Sequence, residues 1–298
     1  IHAQILVQHG DLENGLPVNV AMLYKDLSMY LGDYEYLSSD LKEYFRQYRV
    51  LKIRNEITPD FVSKVESQDK SLDDSTEFEK RDSVLRNYNR DGNKLLTVDG
   101  MGCEYMPFVM AILKESGFEV EYATIVKARL PTETRFNRME WNASDVLEEI
   151  KCVDNIGHNG KDKHQNNSSE VNLATTLSEL KANLLKMLRE NIDEGHKIVI
   201  TSDHGMSRLL IIASEKGLDK KIEYEKPDNW RYTEDDGGNM PEGTVSSMVG
   251  GKNYWIARGY NHFVKGGDRR NEYHGGSTPE ERLVPLIVVS GKTAPITY

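Results

Sequence analysis

Residues 197–205 have the sequence Lys-Ile-Val-Ile-Thr-Ser-Asp-His-Gly, and this stretch decides the fold class. The apolar and β-branched run from Ile198 to Thr201 predicts a buried strand. Asp203 and His204 follow this strand, with a glycine behind them. Because an open α/β sheet places its ligands where strands end, we expect this strand to lie in the sheet of an α/β protein. Oxygen and nitrogen ligands that leave one strand end suit a divalent metal ion.

The chain around this strand alternates between predicted strands and predicted helices. Further strands are predicted at residues 95–98, 118–126 and 283–289, and helices at 105–116, 171–191 and 206–216. This alternation predicts an α/β sandwich with a largely parallel sheet. Two polar stretches, residues 159–170 and 226–243, are predicted to be surface loops or lids.

The first 92 residues have a different pattern. Apolar residues at helical spacing predict helices at 18–31, 41–50, 59–67 and 75–88. Thr58 and Pro59 form a helix start signal. We therefore divide the chain into a helical packing or docking region, residues 1–92, and an α/β domain, residues 93–298.

Composition excludes several classes of protein. With 48 acidic and 38 basic side chains among 298 residues, the net charge is −10, which argues against a protein whose whole surface binds nucleic acid. The longest apolar run, residues 283–289, is far shorter than the ~20 residues that cross a bilayer. The two cysteines and the absence of a recognisable signal peptide predict reduced thiols and a cytoplasmic location.

Four other segments carry residues suited to chemistry. Asp99 follows the predicted strand 95–98, and Thr132 and Thr134 follow Pro131. Each has a plain structural alternative, since Asp99 suits a turn and Thr132 suits a helix N-cap.

The remaining two segments supply histidines. Asp154 and His158 are four residues apart, so a helix would place both on one face, where they suit one cation or a surface pair. His274 precedes a glycine pair and suits either a ligand or a turn.

The order of these five segments resembles the alkaline phosphatase superfamily, and the chain is most similar to the PglZ domain. That domain is known from BREX phage-defence systems and from some bacterial signalling proteins. The resemblance rests on the strand with Asp99, on Leu-Pro-Thr-Glu-Thr at 130–134, on Asp154 with His158, on Thr-Ser-Asp-His-Gly at 201–205 and on His-Gly-Gly-Ser-Thr-Pro-Glu-Glu at 274–281. It covers about residues 93–292.

The resemblance implies an α/β/α sandwich that holds two divalent metal ions, usually zinc. Asp and His ligands accept manganese as well. One implied site consists of Asp154, His158 and His274, and the other of Asp99, Asp203 and His204. The implied nucleophile is Thr134, with Thr132 as the alternative, and it attacks phosphorus to form a covalent phosphoenzyme.

Basic side chains near these segments are candidates for contacts with the substrate phosphate. Arg135 and Arg138 follow the threonines, and His262 and Lys265 belong to the most basic stretch of the chain, which also contains Arg258, Arg269 and Arg270. The structural alternative for each is a solvated face.

The expected function is therefore a metal-dependent phosphodiesterase that acts on nucleotides or nucleic acid in phage defence. One alternative is a phosphomonoesterase or phosphate transferase of the same superfamily. The other is a metal-binding scaffold or sensor subunit of a defence complex. We expect other defence proteins to bind through the helical N-terminal region and no membrane to be involved.

Overall fold

The structure is a computed structural model that describes residues 18–35, 37–159, 169–193, 195–265 and 270–290. The helices are α1 (Val18–Leu23), α2 (Lys25–Tyr30), α3 (Ser39–Arg54), α4 (Pro59–Asp74), α5 (Arg81–Leu85), α6 (Met106–Glu115), α7 (Cys152–Asn159), α8 (Ser169–Asn191), α9 (Leu209–Glu215) and α10 (Pro279–Arg282). The strands are β1 (Lys94–Thr97), β2 (Glu119–Lys127), β3 (Lys197–Thr201), β4 (Lys221–Ile222), β5 (Tyr232–Glu234), β6 (Thr244–Val249), β7 (Lys252–Ala257), β8 (His262–Phe263) and β9 (Leu283–Ser290).

The central sheet has the strand order β1-β3-β9-β2. β1 and β3 are parallel, with Leu95 opposite Val199. β9 lies antiparallel to both β3 and β2, with Leu286 opposite Thr201 on one side and Thr124 on the other. The prediction of a mixed α/β fold is therefore confirmed, but the prediction of a largely parallel sheet is wrong.

The path of the chain after β3 explains the antiparallel strand. The chain leaves β3 at Thr201, forms residues 202–282 and enters β9 beside that same strand end. It therefore runs back toward the start of β3. Residues 283–289 are all buried, so they show no alternation between an inner and an outer face, and the sequence pattern carries no information on direction.

The sheet buries side chains on both faces. Ile198, Ile200 and Ile287 belong to the larger core, which also contains apolar side chains of α6, α7, α8 and α9. Val199 and Val288, which alternate with them, belong to a smaller core that is completed by side chains of α5. This alternation makes β3 and β9 the interior of the fold.

The helical N-terminal region shares the larger core with the α/β part. Tyr44, Phe45 and Phe61 of α3 and α4 belong to the same apolar cluster as the sheet residues. Thr58 caps α4 as predicted, because its hydroxyl accepts a hydrogen bond from the Phe61 amide at 3.3 Å. The helix predicted over residues 75–88 is much shorter and comprises only α5.

Small sheets lie between β3 and β9 along the chain. β5, β7 and β6 form an antiparallel sheet, and β4 pairs with β8. The prediction of a loop over residues 226–243 is partly wrong, because this stretch contains β5. Most of the predicted loop 159–170 lies outside the described residues. Within the described residues, no helix has the length and apolar character needed to cross a bilayer.

Candidate active site at the carboxyl edge of the sheet

Four chain segments meet at one edge of the central sheet. β1 and β3 end at this edge, and Asp99 and Asp203 follow within two residues of each strand. A backbone hydrogen bond from Asp99 to the Ile150 carbonyl, 2.9 Å long, brings the start of α7 to the same place. Because β9 runs in the opposite direction, the segment before it, with His274, arrives at this edge too.

The first group of candidate ligands consists of Asp99, Asp203 and His204, and all three are buried. His204 Nε2 lies 3.3 Å from Asp203 Oδ2 and 3.7 Å from Asp99 Oδ1. Hydrogen bonds to Asp203 Oδ1 from the amides of His204, at 3.0 Å, and Gly100, at 3.3 Å, hold that carboxylate. Its other oxygen, Oδ2, therefore faces the group.

The surroundings of Asp99 disfavour the charged form of its carboxyl. The pKa of its carboxyl is raised from 3.8 to about 8, first because the residue is buried and then because Asp203 and Asp154 are negatively charged. Its Oδ1 atom is buried and accepts no hydrogen bond from the residues that the structure describes. A cation bound by this group would stabilise the charged Asp99 carboxylate and would give Oδ1 a partner.

The second group consists of Asp154, His158 and His274. Asp154 and His158 lie on one face of α7, as their spacing predicts. His158 Nε2 lies 3.0 Å from Asp154 Oδ1 and 2.9 Å from His274 Nε2, and His274 Nε2 lies 3.6 Å from Asp154 Oδ1.

The protonation of this second group suits metal binding. Burial raises the pKa of Asp154, but the hydrogen bond and charge of His158, together with the charges of His204 and Arg270, outweigh burial, so the pKa lies below its ordinary value. The pKa of His274 is well below 6.5, first because of burial and then because of His204 and His158. The carboxylate is therefore charged and the His274 imidazole neutral at pH 7, as metal ligation requires.

The three histidines are oriented by backbone carbonyls. Nδ1 of His158 lies 3.2 Å from the Glu272 carbonyl, and Nδ1 of His274 lies 3.1 Å from the Thr132 carbonyl. Nδ1 of His204 lies 3.2 Å from the Gly205 carbonyl. A proton on each Nδ1 would satisfy these carbonyls and leave a lone pair on each Nε2, although Nε2 of His158 also lies 3.0 Å from Arg270 Nη1. This arrangement is typical of histidines that bind metal.

The spacing of the atoms also fits metal ions. Tetrahedral zinc with ordinary bond lengths places its ligand atoms about 3.3 Å apart. The separations of 2.9, 3.0 and 3.6 Å in the second group and of 3.3 and 3.7 Å in the first group lie around this value. The rings of His204 and His274 are stacked with centroids 4.0 Å apart, so the two groups are adjacent.

Of the two threonines considered as nucleophiles, Thr134 is the one whose hydroxyl reaches these groups. Its Oγ1 donates to Asp203 Oδ2 at 2.6 Å and lies 3.3 Å from His204 Nε2. Thr132 is fully buried and faces elsewhere, since its hydroxyl donates to the Gly276 carbonyl at 2.7 Å and accepts from the Gly275 amide at 3.0 Å. The expected helix cap at Thr132 is wrong, because only a short 3₁₀ turn follows, at Thr134–Phe136.

Comparison with known families identifies the family of this chain. The family described as the BREX system PglZ alkaline phosphatase-like domain matches residues 93–289. The chain belongs to the PglZ family. The matched segment contains every residue of both candidate ligand groups and Thr134. A search of curated proteins finds no match.

Solved structures similar to this PglZ-family chain include ectonucleotide pyrophosphatase/phosphodiesterase 5. The human protein is 16% identical over 53% of this chain and 50% of its own, with a TM-score of 0.28. An inactive murine form in complex with AMP is 17% identical over 50% and 49%, with a TM-score of 0.29. Another murine structure is 14% identical over 75% and 67%, with a TM-score of 0.31. The chain spans about half the length of the first two.

A cleft of about 410 Å³ borders the second group of the PglZ domain. Its lining includes His274 together with Arg135, Lys265 and Arg270, three of the basic residues noted in the sequence. Arg135 donates to the Tyr232 hydroxyl at 2.7 Å and lies over the Phe136 ring.

The other predicted substrate contacts lie apart from this cleft lining. Arg138 is exposed, and His262 is buried behind Trp230, with its Nδ1 2.6 Å from Asp219 Oδ2. Arg269 lies outside the described residues.

Sequence reasoning missed two residues at this site. Arg81 of α5 donates to the carbonyls of Ser202 and Asp203, and Asn137 organises the loop that contains Thr134. Neither residue belongs to a recognisable motif, and Arg81 lies in the region to which the sequence assigned no chemistry. No local sequence signal distinguishes either from an ordinary surface residue.

Proposed function

We propose that this chain is a metal-dependent phosphoester hydrolase that cleaves phosphodiesters of nucleotides or nucleic acid. The observation that carries the proposal is the position of the Thr134 hydroxyl, 2.6 Å from Asp203 Oδ2 and beside two groups of candidate metal ligands. Membership of an alkaline phosphatase-like family supports the reaction class. AMP in one similar structure supports a nucleotide as the substrate class.

We further propose that each ligand group holds one divalent ion, zinc or manganese. The first ion would be held by Asp99, Asp203 and His204, and the second by Asp154, His158 and His274. When bound, two such ions supply positive charge that holds phosphate oxygens and lowers the pKa of a nearby hydroxyl. The buried Oδ1 of Asp99, which accepts no hydrogen bond from the described residues, supports the assignment of the first ion.

In the proposed reaction Thr134 is the nucleophile. Its Oγ1 forms a bond to phosphorus as the bond from phosphorus to the leaving alkoxide breaks, and the hydroxyl proton leaves with solvent. Water then attacks the phosphothreonine and restores the hydroxyl. Asp203 Oδ2 orients Thr134, because it accepts the hydrogen bond from that hydroxyl.

The cleft beside His274 is the proposed place for the second esterified group of a diester, the group that stays on phosphorus. Arg135 and Lys265 line it and carry positive charge suited to a phosphate or a second nucleotide unit. A monoester has no second esterified group to fill this cleft, which is why we favour a diester substrate. Arg138 and His262 stay predictions as substrate contacts, and their positions outside the lining make them the weaker candidates.

Family membership sets the chain in the context of phage defence. We propose that other defence proteins bind the helical N-terminal region, residues 1–92. Met22 and Leu23 of α1 support this, because both are exposed apolar side chains.

The test combines metal analysis with turnover of two chromogenic substrates. The parent protein should bind about two equivalents of zinc or manganese and cleave bis(p-nitrophenyl) phosphate faster than p-nitrophenyl phosphate. Thr134→Ala should keep both metals and lose turnover by orders of magnitude, whereas Thr134→Ser should retain measurable turnover. Thr124→Ala in β2 is the control and should behave as the parent.

Each alternative has its own result. Faster cleavage of the monoester would replace the diesterase with a phosphomonoesterase or transferase. Bound metal without turnover of either substrate would favour the scaffold or sensor. Normal turnover by Thr134→Ala would exclude covalent threonine catalysis and favour direct attack by water.

A further inference from the structure

Arg81 connects the two chain segments that meet in the candidate active site. Its guanidinium is buried, with the residue 1% exposed. Nη1 donates to the Ser202 carbonyl at 3.1 Å and to the Asp203 carbonyl at 3.0 Å. Nη2 donates to the Asn137 carbonyl at 2.8 Å. One side chain therefore bonds both the turn after β3 and the loop that contains Thr134.

Asn137 gives that loop its shape. It is fully buried, and its side-chain amide lies within hydrogen-bond distance of the carbonyls of Arg129, at 3.1 Å, Pro131, at 3.0 Å, and Glu133, at 3.2 Å. Its Oδ1 accepts from the Arg129 amide at 2.8 Å. The loop 129–137 is thus closed on itself, and its backbone is joined to the β3 turn through Arg81.

The positive charge of Arg81 is paired with Asp82, which belongs to neither group of candidate ligands. Asp82 Oδ1 accepts from Arg81 Nη2 at 2.7 Å and from Nε at 3.0 Å. Asp82 Oδ2 also pairs with Arg129, with the nitrogen and oxygen 2.5 Å apart. The inner face of the guanidinium is therefore free to bond carbonyls, which it does with the planar fork that lysine lacks.

We propose that Arg81 is a positioning residue, which holds the Thr134 loop against the Asp203 turn so that hydroxyl and ligand carboxylate keep their separation. This inference rests on the proposed function for its effect on turnover. A displacement of about 1 Å in such a pair costs about 10²-fold in rate. Arg81 precedes residues 93–289, the segment that matches the family, so the site is completed by the helical N-terminal region.

Arg49 is a matched control within the same chain. It is also 1% exposed and also bonds backbone carbonyls, those of Phe45 at 3.2 Å, Tyr30, and Gly32 at 2.9 Å. All these partners lie in the helical region and none belongs to the candidate site. Arg81→Gln and Arg49→Gln remove comparable buried guanidinium groups, and only the first removes the connection between the two segments.

The experiment compares these variants in the full chain by three measurements. Hydrogen exchange in 129–137 and 202–205 should become faster in Arg81→Gln and stay unchanged in Arg49→Gln. Arg81→Gln should lower the affinity for one of two zinc ions by about 10- to 100-fold, because it removes the hydrogen bonds that hold the backbone of Ser202 and Asp203. Its kcat on bis(p-nitrophenyl) phosphate should fall by about 10²-fold with little change in KM.

Rescue separates positioning from general destabilisation. Arg81→Lys should recover only part of the loss, and millimolar guanidinium should raise the kcat of Arg81→Ala but not of Arg49→Ala. Equal effects of the Arg81 and Arg49 variants on kcat or zinc affinity, or unchanged exchange in 129–137 in Arg81→Gln, would overturn the inference. If the parent binds no zinc and cleaves neither substrate, the proposed function fails, and the exchange comparison alone decides whether Arg81 joins the two segments.

Discussion

Asp99→Asn is expected to stabilise the metal-free protein while removing a metal ligand. In the parent, the Asp99 carboxyl is buried beside Asp203 and Asp154, and its pKa is raised to about 8. Asparagine keeps the size of the side chain and removes the charge. The change therefore removes electrostatic repulsion among the carboxylates without opening a cavity.

The magnitude follows from proton linkage. Between about pH 4 and pH 8 the folded chain keeps a proton on Asp99 that the unfolded chain releases, so the stability of the metal-free parent falls as pH rises. With pKa values of 3.8 unfolded and about 8 folded, the cost is about 2 kcal/mol at pH 5 and about 5 kcal/mol at pH 8. These are upper limits, because Asp203 and Asp154 contribute to the same repulsion.

The assay is chemical and thermal unfolding of chelator-treated protein at pH 5 and pH 8. Asp99→Asn should be more stable than the parent at both pH values. This gain in the free energy of unfolding should be up to about 3 kcal/mol larger at pH 8 than at pH 5, which corresponds to a difference in Tm of about 5 °C or more. Added zinc should reverse the order, since the parent gains binding energy and the variant lacks one ligand. Asp91→Asn, an exposed carboxylate outside the group, should show no such pH dependence.

Two results would refute this reasoning. A stability difference that is equal at both pH values would show that the Asp99 carboxyl is not held protonated by its surroundings. Zinc stabilisation of Asp99→Asn equal to that of the parent would remove Asp99 from the ligand set.

Three further predictions concern the same fold. Zinc binding near pH 7 should release close to one proton from Asp99, measured by calorimetry in buffers of different ionisation enthalpy, and the affinity should fall about tenfold per pH unit below about pH 8. Gly205→Ala should destabilise the fold by about 3 kcal/mol in urea unfolding, because its Cβ would lie 2.0 Å from the Glu280 carbonyl oxygen; unchanged stability would contradict that close approach. Lys52→Met should lower the free energy of unfolding by about 3–5 kcal/mol at pH 8 and by less at pH 5. The reason is that burial raises the pKa of its partner Glu104, which takes up a proton at the lower pH. An equal loss of stability at both pH values would contradict this prediction.

Much of the fold follows from short-range sequence patterns. The run 197–201 and the spacing of Asp154 and His158 each predicted an element that the structure contains. Such predictions succeed because strand burial and helix faces depend on neighbouring residues. The direction of β9 could not be predicted in this way, because it depends on the path that residues 202–282 take back to the sheet.

The candidate site divides in the same way. The residues that we propose to supply chemistry, such as Asp203 and Thr134, stand in motifs and could be found in the sequence. Residues that position them could not, because Arg81 and Asn137 act by bonding backbone carbonyls. Any carbonyl is an equivalent acceptor, so no partner residue type marks the interaction. The structure alone shows that Thr132 holds the glycine pair after His274.

The balance of charge and open coordination favours an enzyme over a scaffold with a structural metal. Structural zinc takes four protein ligands, whereas catalytic zinc keeps one position open. Here each group offers three ligands, and the half-buried Thr134 hydroxyl stands beside the first. Burial and the neighbouring carboxylates, which raise the pKa of Asp99, disfavour the charged form of this group when no cation is present. Two adjacent groups of carboxylate and imidazole ligands beside a hydroxyl suit the proposed hydrolysis, because bound cations would hold and neutralise the oxygens of a substrate phosphate.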